Sequence, residues 1–126
     1  MTTQATLLKI YVGEGVQSEG KPLYQALLYE LKNAGLAGVT VLRGIEGYGE
    51  LHKVHMARLL ELSADLPMVV ECIDSTDKIN AIIPVIKEMV PRGVILTADV
   101  QIHKWHLDET LTSIPLEASI QNSQLQ

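Results

Sequence analysis

The chain has 126 residues, 47% of them hydrophobic and 20% charged, with a formal net charge of −5. That is the size and balance of one folded domain with a single core. The acidic balance, the absence of any lysine/arginine run, an aromatic content of 4% and the lack of phenylalanine argue against duplex binding and against a base-stacking platform, so no nucleic-acid partner is expected.

Residues 6–12 alternate as a strand, with Leu8, Ile10 and Val12 on one face and Leu7, Lys9 and Tyr11 on the other. Gly13 to Gly20 reads as a loop, and Pro22 opens a helix, since its missing N–H is one the first turn leaves unpaired. That helix runs to about Ala34, carries its apolar stripe on Leu23, Leu27, Leu31 and Ala34, widened by Leu28, and stops at Gly35. A β-branched run, Val39–Leu42, follows and leads into Arg43-Gly44.

Residues 50–63 settle on no single period. Leu66–Ile73 is a short apolar strand with Pro67 at its start, where it removes no interior ladder bond. Cys72, the single cysteine, lies inside it as a small buried hydrophobe with no disulfide partner. Asp74-Ser75-Thr76-Asp77 supplies oxygen acceptors and negative charge for a helix N-terminus. Ile79, Ile82, Ile83, Ile86 and Val90 form the apolar face of that helix. Pro84 predicts a bend near residues 80–84, and Pro91 and Gly93 end the helix. Val94–Ala98 reads as a connection and 99–105 as the last strand. The tail from Leu107 is polar and weakly patterned, with at most a short packed segment before disorder. Residues 1–106 therefore form the domain and 107–126 a C-terminal tail.

The order β-α-β, β-α-β predicts an α+β, ferredoxin-like fold: an antiparallel four-stranded sheet with both helices on one face. The other face, with Tyr11, Leu42 and Trp105 by alternation, is partly apolar and has no helix to cover it, which predicts oligomerisation. No apolar run approaches the ~18 residues that span a bilayer, and Met1-Thr2-Thr3-Gln4 lacks the basic start of a signal peptide. No membrane insertion and a cytoplasmic location are the expectations.

The chemically richest stretch is Arg43-Gly44-Ile45-Glu46-Gly47-Tyr48-Gly49, followed by His52, Lys53 and His55. Its glycines free the backbone to leave regular structure. Arg43 carries a planar fork suited to phosphate or carboxylate, and a salt bridge to one of the chain's acids is the competing reading. Gly44, Gly47, Tyr48, Gly49, Lys53 and His55 complete the candidate ligand loop, and Arg92 and Gly93 form a second candidate contact. His52 and His55 share a face only if their segment is helical. His103 and His106, also three apart, would lie on opposite faces of a strand. Neither pair makes a full set of metal ligands by itself, so no metal is expected, with these four histidines as the only candidates. No serine elbow, Cys/His pair or paired carboxylates on a rigid element suggests catalysis, and a non-enzymatic role is expected.

Leu8-Lys9-Ile10-Tyr11-Val12-Gly13-Glu14, Gly20-Lys21-Pro22-Leu23-Tyr24, the run from Gly35 to Gly49, His55 with Ala57, Leu62–Pro67 and Val69-Val70-Glu71 together resemble the PII-like family called domain of unknown function 190. The resemblance covers residues 6–105. It implies kinship with PII signal proteins and CutA proteins, that is, ferredoxin-like protomers assembled as homotrimers. In PII proteins the connection between the second and third strands is the T-loop, which changes with nucleotide state and docks on targets. The resemblance thus implies a signalling protein with an anionic effector in the intersubunit cleft, an adenine-type nucleotide among the candidates. Its regulated partner would be a protein such as a transporter or an enzyme. A CutA-like metal-binding protein and an adaptor trimer without a small ligand are the alternatives. One departure stands out. Where PII proteins carry a Gly-Asp-Gly-Lys-like phosphate cradle, this chain has Pro91–Asp99 with one glycine and no lysine. Fewer phosphates, or another anion, are easier to accommodate there than a triphosphate.

Overall fold

The computed structural model describes residues 2–47, 55–56 and 66–105. Four long strands form the sheet: β1 (Thr3–Gly13), β4 (Val39–Arg43), β7 (Pro67–Asp74) and β8 (Val94–Ile102). Their order is β4-β7-β1-β8 and every neighbouring pair is antiparallel. Two helices, α1 (Leu23–Asn33) and α2 (Thr76–Met89), connect them. This is the predicted ferredoxin-like α+β fold.

The alternation read from β1 is the alternation observed. Leu8, Ile10 and Val12 are buried with Met68, Val70 and Cys72 of β7, Leu23, Leu27 and Leu31 of α1, and Ile79, Ile82 and Ile86 of α2. Truncating a fully buried leucine such as Leu27 to alanine in a core of this kind costs about 2–5 kcal/mol. Thr6 is the one buried polar residue among those described, and its hydroxyl meets that of Thr76 at 2.7 Å. That bond ties β1 to the first turn of α2 and gives the buried hydroxyl a partner.

The helix ends show why the elements stop where they do. Gly35, with φ +86°, closes α1: its N–H donates to Lys32 C=O at 3.0 Å and the Leu36 N–H to Leu31 C=O at 3.2 Å. This is a Schellman closure, with Leu36 and Leu31 both in the core behind it. At the start of α2, Ser75 Oγ accepts from the Lys78 N–H at 3.3 Å. Asp74 accepts from the N–H groups of Ser75 and Ala37 at 2.7 and 2.8 Å, fastening the end of β7 to the chain leaving α1. Pro84 lies on the exposed side of α2, which runs unbroken through it. Asn80, whose carbonyl has no helical donor at Pro84, is an exposed residue.

Three expectations change. The loop 13–20 leads into a small ribbon, β2 (Gln17–Ser18) with β3 (Lys21–Pro22). It turns through Glu19 and Gly20 at φ 52° and 81°, the two-positive-φ turn that matches hairpin twist. Pro22 is the residue before the helix, not its first residue. The last strand begins at Val94, not Asp99, because Val94–Ala98 pair with Tyr11–Leu7 of β1. It ends at Ile102, so His103, Lys104 and Trp105 lie beyond it. As an edge strand β8 is solvent-accessible along most of its length, and such a strand carries little of the burial alternation by which strands are recognised.

Candidate functional site

The C-terminal ends of β1 and β4 and the N-terminal ends of β7 and β8 meet at one end of the sheet. Glu14 leaves β1 there, and its N–H donates to Leu66 C=O at 2.7 Å. One strand over, the Gly44 N–H donates to Pro67 C=O at 2.7 Å. These bonds carry the pairing one step past the regular ladder and hold both exits rigidly.

Arg43 closes this arrangement. Its Nε lies 3.0 Å from Glu14 Oε2 and its Nη2 donates to Glu14 Oε1 at 3.1 Å, a two-pronged pair in which the guanidinium meets both carboxylate oxygens. Arg43 is half exposed, whereas the Glu14 side chain retains 18% of its surface. The salt-bridge reading of Arg43 is therefore realised in the isolated protomer. An anion reaching Arg43 would share it with Glu14 or displace that carboxylate.

Gly44 does not use a positive φ. Its need is closeness: a Cβ there would stand 2.5 Å from Pro67 Cγ and 3.2 Å from Pro67 O. Gly93 is alike. At φ +156° a Cβ would sit 2.3 Å from the Tyr11 carbonyl oxygen and 3.2 Å from the Cγ1 atoms of Val12 and Val90. Both glycines let backbone pass against backbone at the sheet end.

The candidate residues thus fall in two places. Arg43 and Gly44 lie at the β4 edge, and Arg92 and Gly93 lead into the β8 edge. Three strand spacings, about 14 Å, separate those edges. That is the separation of the backbones; the Arg43 guanidinium itself reaches across to Glu14 at the end of β1, the strand next to β8. Between Gly44 and the return to β7, β5 (Glu46–Gly47) pairs with β6 (His55–Met56), with Gly47 opposite His55. This ribbon brings those two positions together and places His55 in a strand; the pairing of His52 with His55 lies outside the described residues. Tyr48, Gly49, His52, Lys53 and His106, and the tail 107–126, lie outside the described residues. His103 is exposed. Among the described residues no three His, Cys, Asp or Glu side chains come together as a metal site.

Glu14 was not among the residues singled out by sequence, although it fixes the orientation of Arg43. Its signal is weak, an acid directly after the strand-ending Gly13. Only the β4-β7-β1 order brings it to Arg43, 29 residues away.

A family model, DUF190, described as an uncharacterized ACR, matches residues 5–102, all but the first two residues of the four-stranded sheet. The chain belongs to the DUF190 family. Two curated UPF0166 proteins are similar to this DUF190 chain. That of Methanocaldococcus jannaschii, MJ1524, is 36% identical over 102 residues, spanning 80% of this chain and 94% of the relative. That of Aquifex aeolicus is 41% identical over 96 residues, 76% and 90% of the two. Among solved structures, CPII, a nitrogen regulatory PII-like protein from Thiomonas intermedia K12 bound to ADP, AMP and bicarbonate, superposes with a TM-score of 0.62 at 15% identity, covering 82% of this chain and 92% of that one. CutA1 from Oryza sativa gives 0.54 at 16% identity, with 83% and 85% covered. At such identities the likeness is one of fold, which PII-like and CutA proteins share with the DUF190 chain. Among the described residues no helix is long and apolar enough to cross a membrane.

Proposed function

We propose that the protein is a non-enzymatic, PII-like regulatory protein of the cytoplasm, assembled as a homotrimer. It takes a small anionic ligand in the cleft between protomers and signals to a protein partner, such as a transporter or an enzyme, through the 44–63 connection. An adenine nucleotide with one or two phosphates is the first candidate, because Pro91–Asp99 lacks the glycines and lysine that would cradle a third. The observation that carries this reading is Arg43 held over the sheet end by Glu14, next to a glycine packed against Pro67. A cation with a competing internal carboxylate, at the root of a long connection, can exchange that carboxylate for a ligand anion and reset the root. In the assembled trimer one protomer would contribute Arg43 to the cleft and its neighbour Arg92 and Gly93. The PII-like CPII, which is bound to ADP, AMP and bicarbonate, supports the choice of ligand class.

Thermal-shift titration with AMP, ADP, ATP and bicarbonate tests the proposal. Saturation at a hundred times Kd stabilises the ligand-binding state by about 2.7 kcal/mol. No stabilisation by any of them at millimolar concentration overturns the reading. A metal-dependent shift in its place would move the assignment to the CutA-like alternative.

A further inference from the structure

Gly38 stands just before β4, and continuing the register in which Thr40 faces Glu71 sets it opposite Ile73. Its φ is not positive, so no turn requires glycine here, and a Cβ would meet nothing within 4 Å. The missing side chain leaves a recess. Gly38, Thr40, Glu71 and Ile73 line it together with Trp105, which follows β8, and its volume is about 280 Å³. At roughly 30 Å³ per water molecule, that is room for about nine water-sized groups. Ile73 and the Trp105 indole are exposed apolar surfaces, and Glu71 brings the charge: no lysine or arginine is among the described residues that line the recess. Lys9 Nζ lies 3.8 Å from Glu71 Oε2, an ion pair but not a hydrogen bond, so the carboxylate still has acceptor positions to offer. The Cys72 thiol, in the same wall, is pushed up by burial and then by the negative charges of Asp74 and Glu71, which marks the potential there as negative.

We propose that this recess is a second binding site, which takes a small organic cation: a guanidinium on a short apolar stem. It is separate from the anion site, since Thr40 precedes Arg43 by three residues, about 10 Å along β4. Charge and shape decide the ligand. A phosphate or carboxylate would meet the negative potential of Glu71 and Asp74 with no lining cation to offset it. A neutral apolar molecule would use the indole but strip water from Glu71 without replacing its hydrogen bonds. A guanidinium satisfies both groups. Its flat face stacks on the Trp105 indole while two N–H donors of its fork reach the Glu71 carboxylate. It is also more weakly hydrated than an ammonium, so it gives up less on entering a partly apolar recess. The Thr40 hydroxyl can accept a further N–H, and Ile73 gives the stem an apolar wall.

Trp105 is the only tryptophan in the chain, so its emission reports on this recess directly. The test is titration of the full chain with butylguanidinium, followed by Trp105 fluorescence and by calorimetry, beside butylurea, a neutral molecule of nearly the same shape. Saturable binding in the millimolar range is expected for wild type. Loss of a charge-assisted pair makes binding at least tenfold weaker both for butylurea with wild type and for butylguanidinium with Glu71→Gln. Gly38→Leu fills the recess without a clash at its Cβ, so circular dichroism should show native folding while butylguanidinium no longer binds. No saturation of wild type, or equal binding by butylurea or by Glu71→Gln, overturns the cation site. A natively folded Gly38→Leu that binds butylguanidinium like wild type shows that the recess is not where it binds, and overturns the proposal as well.

Discussion

Replacing Gly93 with alanine tests whether the sheet end is built on close backbone approach. The new Cβ would lie 2.3 Å from the Tyr11 carbonyl oxygen, roughly 1 Å inside ordinary contact, and that oxygen belongs to a residue paired with Val94 at the end of the β1–β8 ladder. No flexible side chain can yield, because the clash is with backbone on one side and with two valine methyl groups on the other. Overpacking of this kind costs about 1–3 kcal/mol, and an L residue at the φ of +156° adds about 1–3 kcal/mol. The sum, about 2–6 kcal/mol, is a large share of the roughly 5–15 kcal/mol that holds a domain of this size folded. Gly20→Ala is the control: it shares a positive φ, +81°, but has nothing within 4 Å of the added methyl, so only the backbone cost of about 1 kcal/mol applies. Chemical denaturation of both variants reads the difference. If Gly93→Ala unfolds within 1 kcal/mol of Gly20→Ala, the close approach is not what the position requires and the reasoning fails.

Glu14→Gln removes the carboxylate that competes for Arg43. The protein should lose no more than about 1 kcal/mol, as expected for a pair whose guanidinium is half exposed, while its affinity for ADP rises about two- to fivefold by calorimetry. Unchanged or weaker binding would mean that Glu14 and Arg43 serve the fold alone. Burial, reinforced by the negative charges of Asp74 and Glu71, raises the Cys72 thiol from 9.0 to about 11. Unfolded chains ionise that thiol above pH 9 and folded ones do not. Its contribution is therefore fully present below pH 9 and lost as pH climbs to about 11, a difference on the order of 2–3 kcal/mol. Denaturation midpoints measured across this interval should fall more steeply in wild type than in Cys72→Ala, and parallel curves would contradict the burial argument. Ser75→Ala should cost about 1 kcal/mol by removing the oxygen that accepts from Lys78 N–H; a thermal melt unchanged from wild type would show that water caps the helix equally well.

The parts of the fold legible in sequence are those where one local rule decides the outcome. The Leu8-Ile10-Val12 stripe, the glycine after α1, the acceptors before α2 and the proline at the head of β7 each act within a few residues, and each appears where it was read. The start of β8 was illegible because Val94–Ala98 has no alternation, and what makes it a strand is pairing with β1 at a separation of more than eighty residues. The ribbon at 17–22 hides in glycine-rich sequence whose turn depends on Glu19 accepting a positive φ. For the site, Arg43 was legible as a cation at the end of a strand, but not its partner. Glu14 reaches it through the strand order, which no spacing encodes. Gly44 was read as freedom of the chain and Gly93 as the end of the helix, and both as candidate ligand contacts; the close backbone approach that each allows is visible only once Pro67 and Tyr11 stand beside them.

The central claim, that Arg43 exchanges Glu14 for the phosphate of a small nucleotide, is tested most directly by calorimetric titration of ADP into wild type and into Arg43→Ala at fixed salt. The account predicts saturable binding by wild type and at least tenfold weaker binding by Arg43→Ala, with both proteins equally folded and in the same oligomeric state. Equal affinity in the two proteins, or no binding by either, would contradict it.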